Sequence, residues 1–342
     1  MVKYKTPGVY KEVVFPAGIS VLPTGVPAFL GLVARADFDK RPGQPAGDGL
    51  LLVSLAKAGL WIIHKRSSGN ETSRSPGLHQ FTMWPQFEER FGELSHLGYL
   101  ATTVRGFFEN GGRTCYVALV CFGENVALTE AVREGLSILA PLDEIDLVCA
   151  PDIMFPRQQG GPHPGELEIR TMQSDILNHC DKTGDRFAIL DSLPGADVDA
   201  VVAQRRGLTG TSGALYYPWI RTVETGFVPP SGHIAGVYAR SDQRIGVHKA
   251  PANEILEGVL DVQVSVNDAQ QEILNPAGVN CLRAFPGRGI RVWGARTLST
   301  VPSWQYVSVR RLFLTAGRWL EHAMTAATFE PNDPGLWSRI TR

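Results

Sequence analysis

From Trp84 to Gly207 the chain alternates short apolar runs with stretches of helical periodicity, and no other feature limits its fold as strongly. WPQFEERFG and YLATTVRGFFENGG have helical spacing, the second ending at a glycine pair able to take a left-handed cap. TCYVALV (Thr114 to Val120) reads as a strand, and NVALTEAVREGLSIL as an amphipathic helix. DLVCAPD is a second strand, followed by a helix from about Glu166 to Cys180 and a third strand, FAILDS (Phe187 to Ser192). DVDAVVAQRRG opens on aspartates, which favour the positive end of a helix. Strands separated by helices of roughly 10 to 15 residues predict an α/β fold, mixed α+β in detail, around a mostly parallel sheet. PAFLGLVA (Pro27 to Ala34) suits a strand buried on both faces.

The flanks differ. The first 22 residues hold Pro7, Gly8, Pro16 and Gly18 between β-prone pieces that include Val9, Tyr10, Val13, Val14 and Phe15. That composition predicts an extended arm, too poor in apolar residues to fold alone. Residues 36–80, with RPGQPAGDG and KRSSGNETSRSPG around a short apolar segment, read as a surface insertion. After Gly210 the chain is strand- and loop-rich until VSVRRLFLTAGRWLEHAM. There Val309, Leu312, Phe313, Ala316, Leu320, Ala323 and Met324 fall on one continuous helical face. Arg311, Arg318 and His322 form a separate basic stripe.

Several function classes are disfavoured. In 342 residues, 33 basic against 34 acidic side chains leave a formal charge of -1, no basis for holding nucleic acid or an anionic membrane. No run reaches the roughly 18 apolar residues of a membrane span, and MVKYKTPGVYKEV lacks the apolar core of a signal peptide. The five cysteines are odd in number and far apart, without a CxxC pair, as buried reduced thiols are. Synthesis and folding in the cytoplasm is the expectation.

Catalytic motifs fare no better. In FPGRGIRVWGARTLS (Phe285 to Ser299), Gly287 and Gly289 precede a β-prone run rather than a helix, and Gly294 falls five positions later, not three. That rejects a dinucleotide fingerprint. The glycines read instead as a turn aiming a strand at Ile290 to Trp293, with Gly294 permitting close approach of a backbone. GxxxxGK[ST], HExxH and GxSxG are absent, so no cofactor and no metal site is expected. Asp152, just after DLVCAP, and His233 are the best enzyme-like residues, though a turn or N-cap role suits Asp152 better.

Longer strings carry a resemblance. TPGVYKEV, FFENGGRTCYVALV, YYPWI, VPPSGHIAGVYARSD, HKAPANE, QQEILNPAGVN, FPGRGIRVWGARTLS, WQYVSVRRLF and FEPNDPGLW together resemble the sheath family of contractile phage tails, R-type tailocins and extracellular contractile injection systems. The resemblance covers nearly the whole chain, most weakly 36–80 and 156–210. It implies a structural protein, not an enzyme, with an α/β inner domain, an extended N-terminal arm and a small outer insertion. Its parts would be the arm (1–22), an α/β sheath domain (23–35 and 81–210), the insertion (36–80) and a C-terminal sheath domain (211–342). It implies hexameric rings stacked helically around an inner tube protein, with baseplate, terminal or cap proteins and other sheath paralogues as further partners. It implies neither nucleic-acid binding nor membrane insertion, and a particle made in the bacterial cytoplasm that joins a phage tail or is released. Arm residues Val9, Tyr10, Val13, Val14 and Phe15 would exchange strands between subunits. Arg311, Arg318 and His322 would meet acidic tube residues, a solvated basic face or an intersubunit contact being the alternatives. Sheaths of this kind usually continue beyond FEPN…LW with a C-terminal arm, so either a truncated chain or a short variant suited to a terminal ring is expected.

Overall fold

Pleating decides how this core is built, because alternate residues of each central strand point to opposite faces. The computed structural model describes residues 22–34, 50–54, 61–65, 78–92, 98–123, 126–155, 164–223 and 226–340. The first strand is β1 (Pro27–Ala34), followed by β2 (Leu50–Ser54), β3 (Trp61–Lys65) and β4 (Leu78–Phe81). Helices α1 (Trp84–Phe91) and α2 (Leu100–Glu109) lead to β5 (Cys115–Phe122). Then α3 (Leu128–Leu139), β6 (Leu147–Cys149), α4 (Glu166–Thr183), β7 (Phe187–Asp191) and α5 (Val198–Arg206) alternate as the sequence predicts. The rest comprises β8 (Gly213–Tyr217), β9 (Ile220–Thr222), β10 (Phe227–Val228), α6 (Ser231–Arg244) and β11 (Val259–Val262). It closes with α7 (Asp268–Ala277), β12 (Val279–Phe285), β13 (Gly289–Trp293), α8 (Val307–Met324) and α9 (Pro334–Ile340).

The described strands make a ten-stranded sheet in the order β13-β12-β8-β7-β6-β1-β5-β3-β2, with β4 also on β5. Its centre, β12 to β5, is parallel throughout. Antiparallel strands close both sides: β13 on β12, and β3 and β4 on β5. Leu30, Val120, Val148, Leu190 and Leu215 face a core completed by α3, α4, α5 and α7. Phe29, Leu119, Cys149, Ile189 and Ala214 face a second core under α1, α2, α6 and α8. Three layers, helix over sheet over helix, result. A smaller antiparallel sheet, β10-β9-β11, follows β8. All five cysteines are buried and none is in a disulfide.

Several local expectations hold. Asp197 caps α5 by accepting the Ala200 N–H at 2.8 Å, and Gly111 ends α2 at φ +97°. Gly287 and Gly289, both at positive φ, turn β12 into β13. A Cβ on Gly294 would stand 2.9 Å from Asn280 Cα, so the expected close approach is real.

Two expectations need amending. Residues 50–54, 61–65 and 78–81, inside the stretch read as a surface insertion, are strands of the main sheet. The region after Gly210 holds two further helices, α6 and α7, ahead of the terminal one. Eleven of the fourteen α6 residues are buried, so it shows no polar face for periodicity to detect. In α7, Pro276 sits near the end, two residues before the αL cap at Gly278. The arm residues Val9, Tyr10, Val13, Val14 and Phe15 lie outside the described residues.

Candidate functional site

Helix α8 has the face that the sequence predicts, but turned to solvent, the reverse of an ordinary amphipathic helix. The side packed on the protein is Val307, Arg311, Leu314, Thr315 and Arg318, at offsets 0, 4, 7, 8 and 11. The apolar face points to solvent: Leu312 is 41% exposed, Phe313 57%, Leu320 65% and Met324 41%. Arg311 and Arg318 are therefore not surface residues. The basic stripe proposed for the tube loses both, and His322 alone of the three stays exposed.

Arg311 explains the inversion. Its guanidinium binds Asp242 through two bonds, Nη1 to Oδ1 at 2.9 Å and Nη2 to Oδ2 at 2.6 Å. Nη2 also donates to Asp146 Oδ2 at 3.0 Å. The plane lies over the Tyr238 ring, 4.7 Å from its centroid. Burial opposes this charge, but the carboxylates of Asp242 and Asp146 overcome burial and hold Arg311 above its ordinary range. The Asp146 carboxylate in turn accepts the N–H groups of Gly25 at 3.0 Å and Val26 at 2.7 Å. A buried acid pair needs a buried cation, so an arginine occupies the inner face of α8 where an apolar side chain would leave two charges unpaired.

Two more buried arginines hold the same corner. Arg318 donates to the carbonyls of Asp143 at 2.7 Å and Pro23 at 3.3 Å. Arg186 donates to the carbonyls of Leu139 at 2.8 Å and Leu142 at 3.2 Å, filling the C-terminal end of α3, while Asp185 pairs with it at 2.7 Å. Beside Arg318, Trp319 Nε1 donates to the Leu22 carbonyl at 3.0 Å. The segment that enters β1 is thus tied to α8 from 295 and 297 positions away.

The enzyme-like residues have structural roles. Asp152 is buried after β6, and its carboxylate accepts N–H groups from Leu32, Tyr99 and Leu100 at 2.7 to 3.0 Å. It fastens the start of α2 to β1. Burial raises it to about 7, against the pull of those three donors. Asp191, at the end of β7, does the same for α6 by accepting the Ser231 N–H at 2.8 Å. His233 is buried against Gly106, whose missing side chain leaves room for the ring, and burial lowers it to about 4. Asp152 and His233 line separate voids of about 10 and 70 Å³. Among the described residues no group of three His, Cys, Asp or Glu could hold a metal, and no helix is long and apolar enough to cross a membrane.

Residues 163–298 match the family model of the phage tail sheath protein central domain. The fold matches a chain of the contracted helical sheath of the anti-feeding prophage, with 28% identity over 98% of this chain and 81% of that one, at a TM-score of 0.65. The contracted sheath complex of the extracellular contractile injection system PVC matches at 26% identity over 99% and 80%, TM-score 0.66. The chain is thus similar, in sequence and in fold, to contractile tail sheath proteins. The tail sheath protein of Vibrio phage KVP40 is 31% identical over 111 residues, which span 31% of this chain and 16% of that relative. The anti-feeding prophage baseplate also contains a matching chain, 27% identical over 98% of this one. The mixed α/β architecture described above is therefore a sheath fold.

Sequence reasoning found α8 and its two faces but missed Asp146, Asp242 and Arg186. Asp146 and Asp242 lie in ordinary charged surroundings in the sequence. One signal was available: a helix whose inward stripe spaces arginines by seven, Arg311 and Arg318, calls for buried acids.

Proposed function

We propose that the chain is a non-enzymatic structural subunit of a contractile sheath. Six-membered rings of it stack as a helix around an inner tube, in a metastable extended lattice. Contraction releases free energy stored during assembly, with the subunit switching between two packings of one fold. It drives the tube through a target envelope. The observation that carries this reading is the fold match over 98–99% of the chain to subunits of two contracted sheaths.

Within this reading the tube contact belongs to the outward face of α8, not to its arginines. Val309, Leu312, Phe313, Leu320 and Met324 are all at least 36% exposed and contiguous along the helix, and exposed apolar stripes of this kind mark protein contacts. Baseplate, terminal or cap proteins and sheath paralogues complete the assembly, and the mature particle is a phage tail or a released injection device. A non-contracting cap or adaptor is a second reading, favoured by the match to a chain in a baseplate. The test is the double variant Phe313→Glu, Leu320→Glu. The subunit should keep its unfolding free energy to within about 0.5 kcal/mol, since both positions are exposed, and lose co-sedimentation with tubes. Unchanged co-sedimentation would remove the α8 contact from the account.

A further inference from the structure

The five residues that lead into β1 are held by an unusual grip. Leu22 and Pro23 give their carbonyls to Trp319 and Arg318 of α8. Gly25 and Val26 give their N–H groups to Asp146, which Arg311 of α8 holds through its carboxylate. Val26 O also accepts the Asp146 N–H at 3.1 Å. Gly25, at φ +69°, passes so close to α6 that a Cβ there would meet Ala239 Cα at 2.5 Å. Pro23 is itself exposed, so its attachment comes from its backbone carbonyl and not from burying its ring.

A segment held by its carbonyls is only as firm as the donor side chains. Both outer donors stand on the helix whose opposite face is bare. Pull on the N-terminal segment is therefore delivered to α8, and whatever seats on α8 steadies the root of that segment. We propose that Arg318 and Trp319 form a latch that couples the N-terminal segment to α8, so that partner contact on α8 and tension on the first residues of the chain are read by one helix. The use of this latch in a sheath rests on the function proposed above; the latch itself does not.

By linkage, releasing the latch must loosen both of its sides. The test compares the full chain with Trp319→Phe, Arg318→Met and the double variant by amide hydrogen exchange. The double variant should exchange at Gly25 and Val26 about tenfold faster or more, with the last two turns of α8 also faster, while Phe29 to Val33 in β1 keep wild-type protection. Exchange at Gly25 and Val26 within about twofold of wild type would overturn the latch. Loss of protection throughout β1 would mean a folding defect, and Trp319→Phe alone, which keeps the ring, then decides by the same criterion. Sheath preparations give a second readout. Double-variant sheaths should assemble yet break into short ring stacks when contraction is triggered; intact contracted cylinders would contradict the coupling. If the wild-type chain forms no sheath at all, the functional reading fails while the exchange result still judges the latch.

Discussion

Arg311 is the residue on which the inner face of α8 depends. Replacing it with methionine leaves Asp146 and Asp242 buried and unpaired at 4% and 8% exposure, and breaking a buried pair from one side costs about 3–5 kcal/mol. Urea denaturation of Arg311→Met should show that loss, and adding Asp242→Asn should recover part of it; a loss below about 1 kcal/mol would contradict the network described here. The sequence gives the spacing of Arg311 and Arg318 correctly but not their direction. Periodicity tells which side chains share a face; which face turns inward is decided by Asp146 and Asp242, 165 and 69 positions away. His233 supplies a pH test. Its folded value, about 4, lies below the ordinary 6.5, so the fold binds its proton less readily than the unfolded chain does. The stability it contributes is complete above pH 6.5 and is lost as pH falls toward 4, about 3 kcal/mol across that window. In His233→Gln, unfolding free energy measured from pH 7 to 4.5 should fall less steeply than in wild type. Parallel curves would show that His233 is not held neutral.

At the scale of elements, the helices that were legible are those with one wet side. α3, α4 and α5 each keep polar residues outward over the first core, so spacing and caps suffice to find them. α6 is enclosed by α2 and the sheet, and close approach there depends on glycine. A Cβ at Gly232 would lie 2.1 Å from the Thr103 carbonyl oxygen, a backbone atom that cannot swing aside. Gly232→Ala should therefore destabilise by about 1–3 kcal/mol. Gly317 on α8 is the control, because nothing lies within 4 Å of its Cβ position; alanine there should leave stability unchanged or raise it by up to about 1 kcal/mol. Thermal unfolding of the two variants separates them, and equal shifts would contradict the packing of α2 on α6. The strands of residues 50–81 escaped detection for a different reason. β3 and β4 pair with β5, more than 30 positions downstream in every registered pair, and β2 joins the sheet only through β3, so local composition carries no trace of the sheet they enter.

At the scale of the whole molecule, one sheet runs through both the alternating half and the half recognisable by its long strings. β7 and β8 pair in parallel across residue 210, so the division expected there from composition is not a break in the sheet. The resemblance was legible because it rests on many ordered strings; what they do physically became visible with the packing, where an arginine cluster fills the inside of α8 and leaves its apolar side outward. A monomer with such a face is built to be covered. The central claim is that this chain is a sheath subunit, and electron microscopy of the chain assembled with its tube protein tests it most directly. The account predicts striated cylinders of stacked six-membered rings that shorten and widen when contraction is triggered. Particles that remain single subunits, or single rings that never stack, would contradict it.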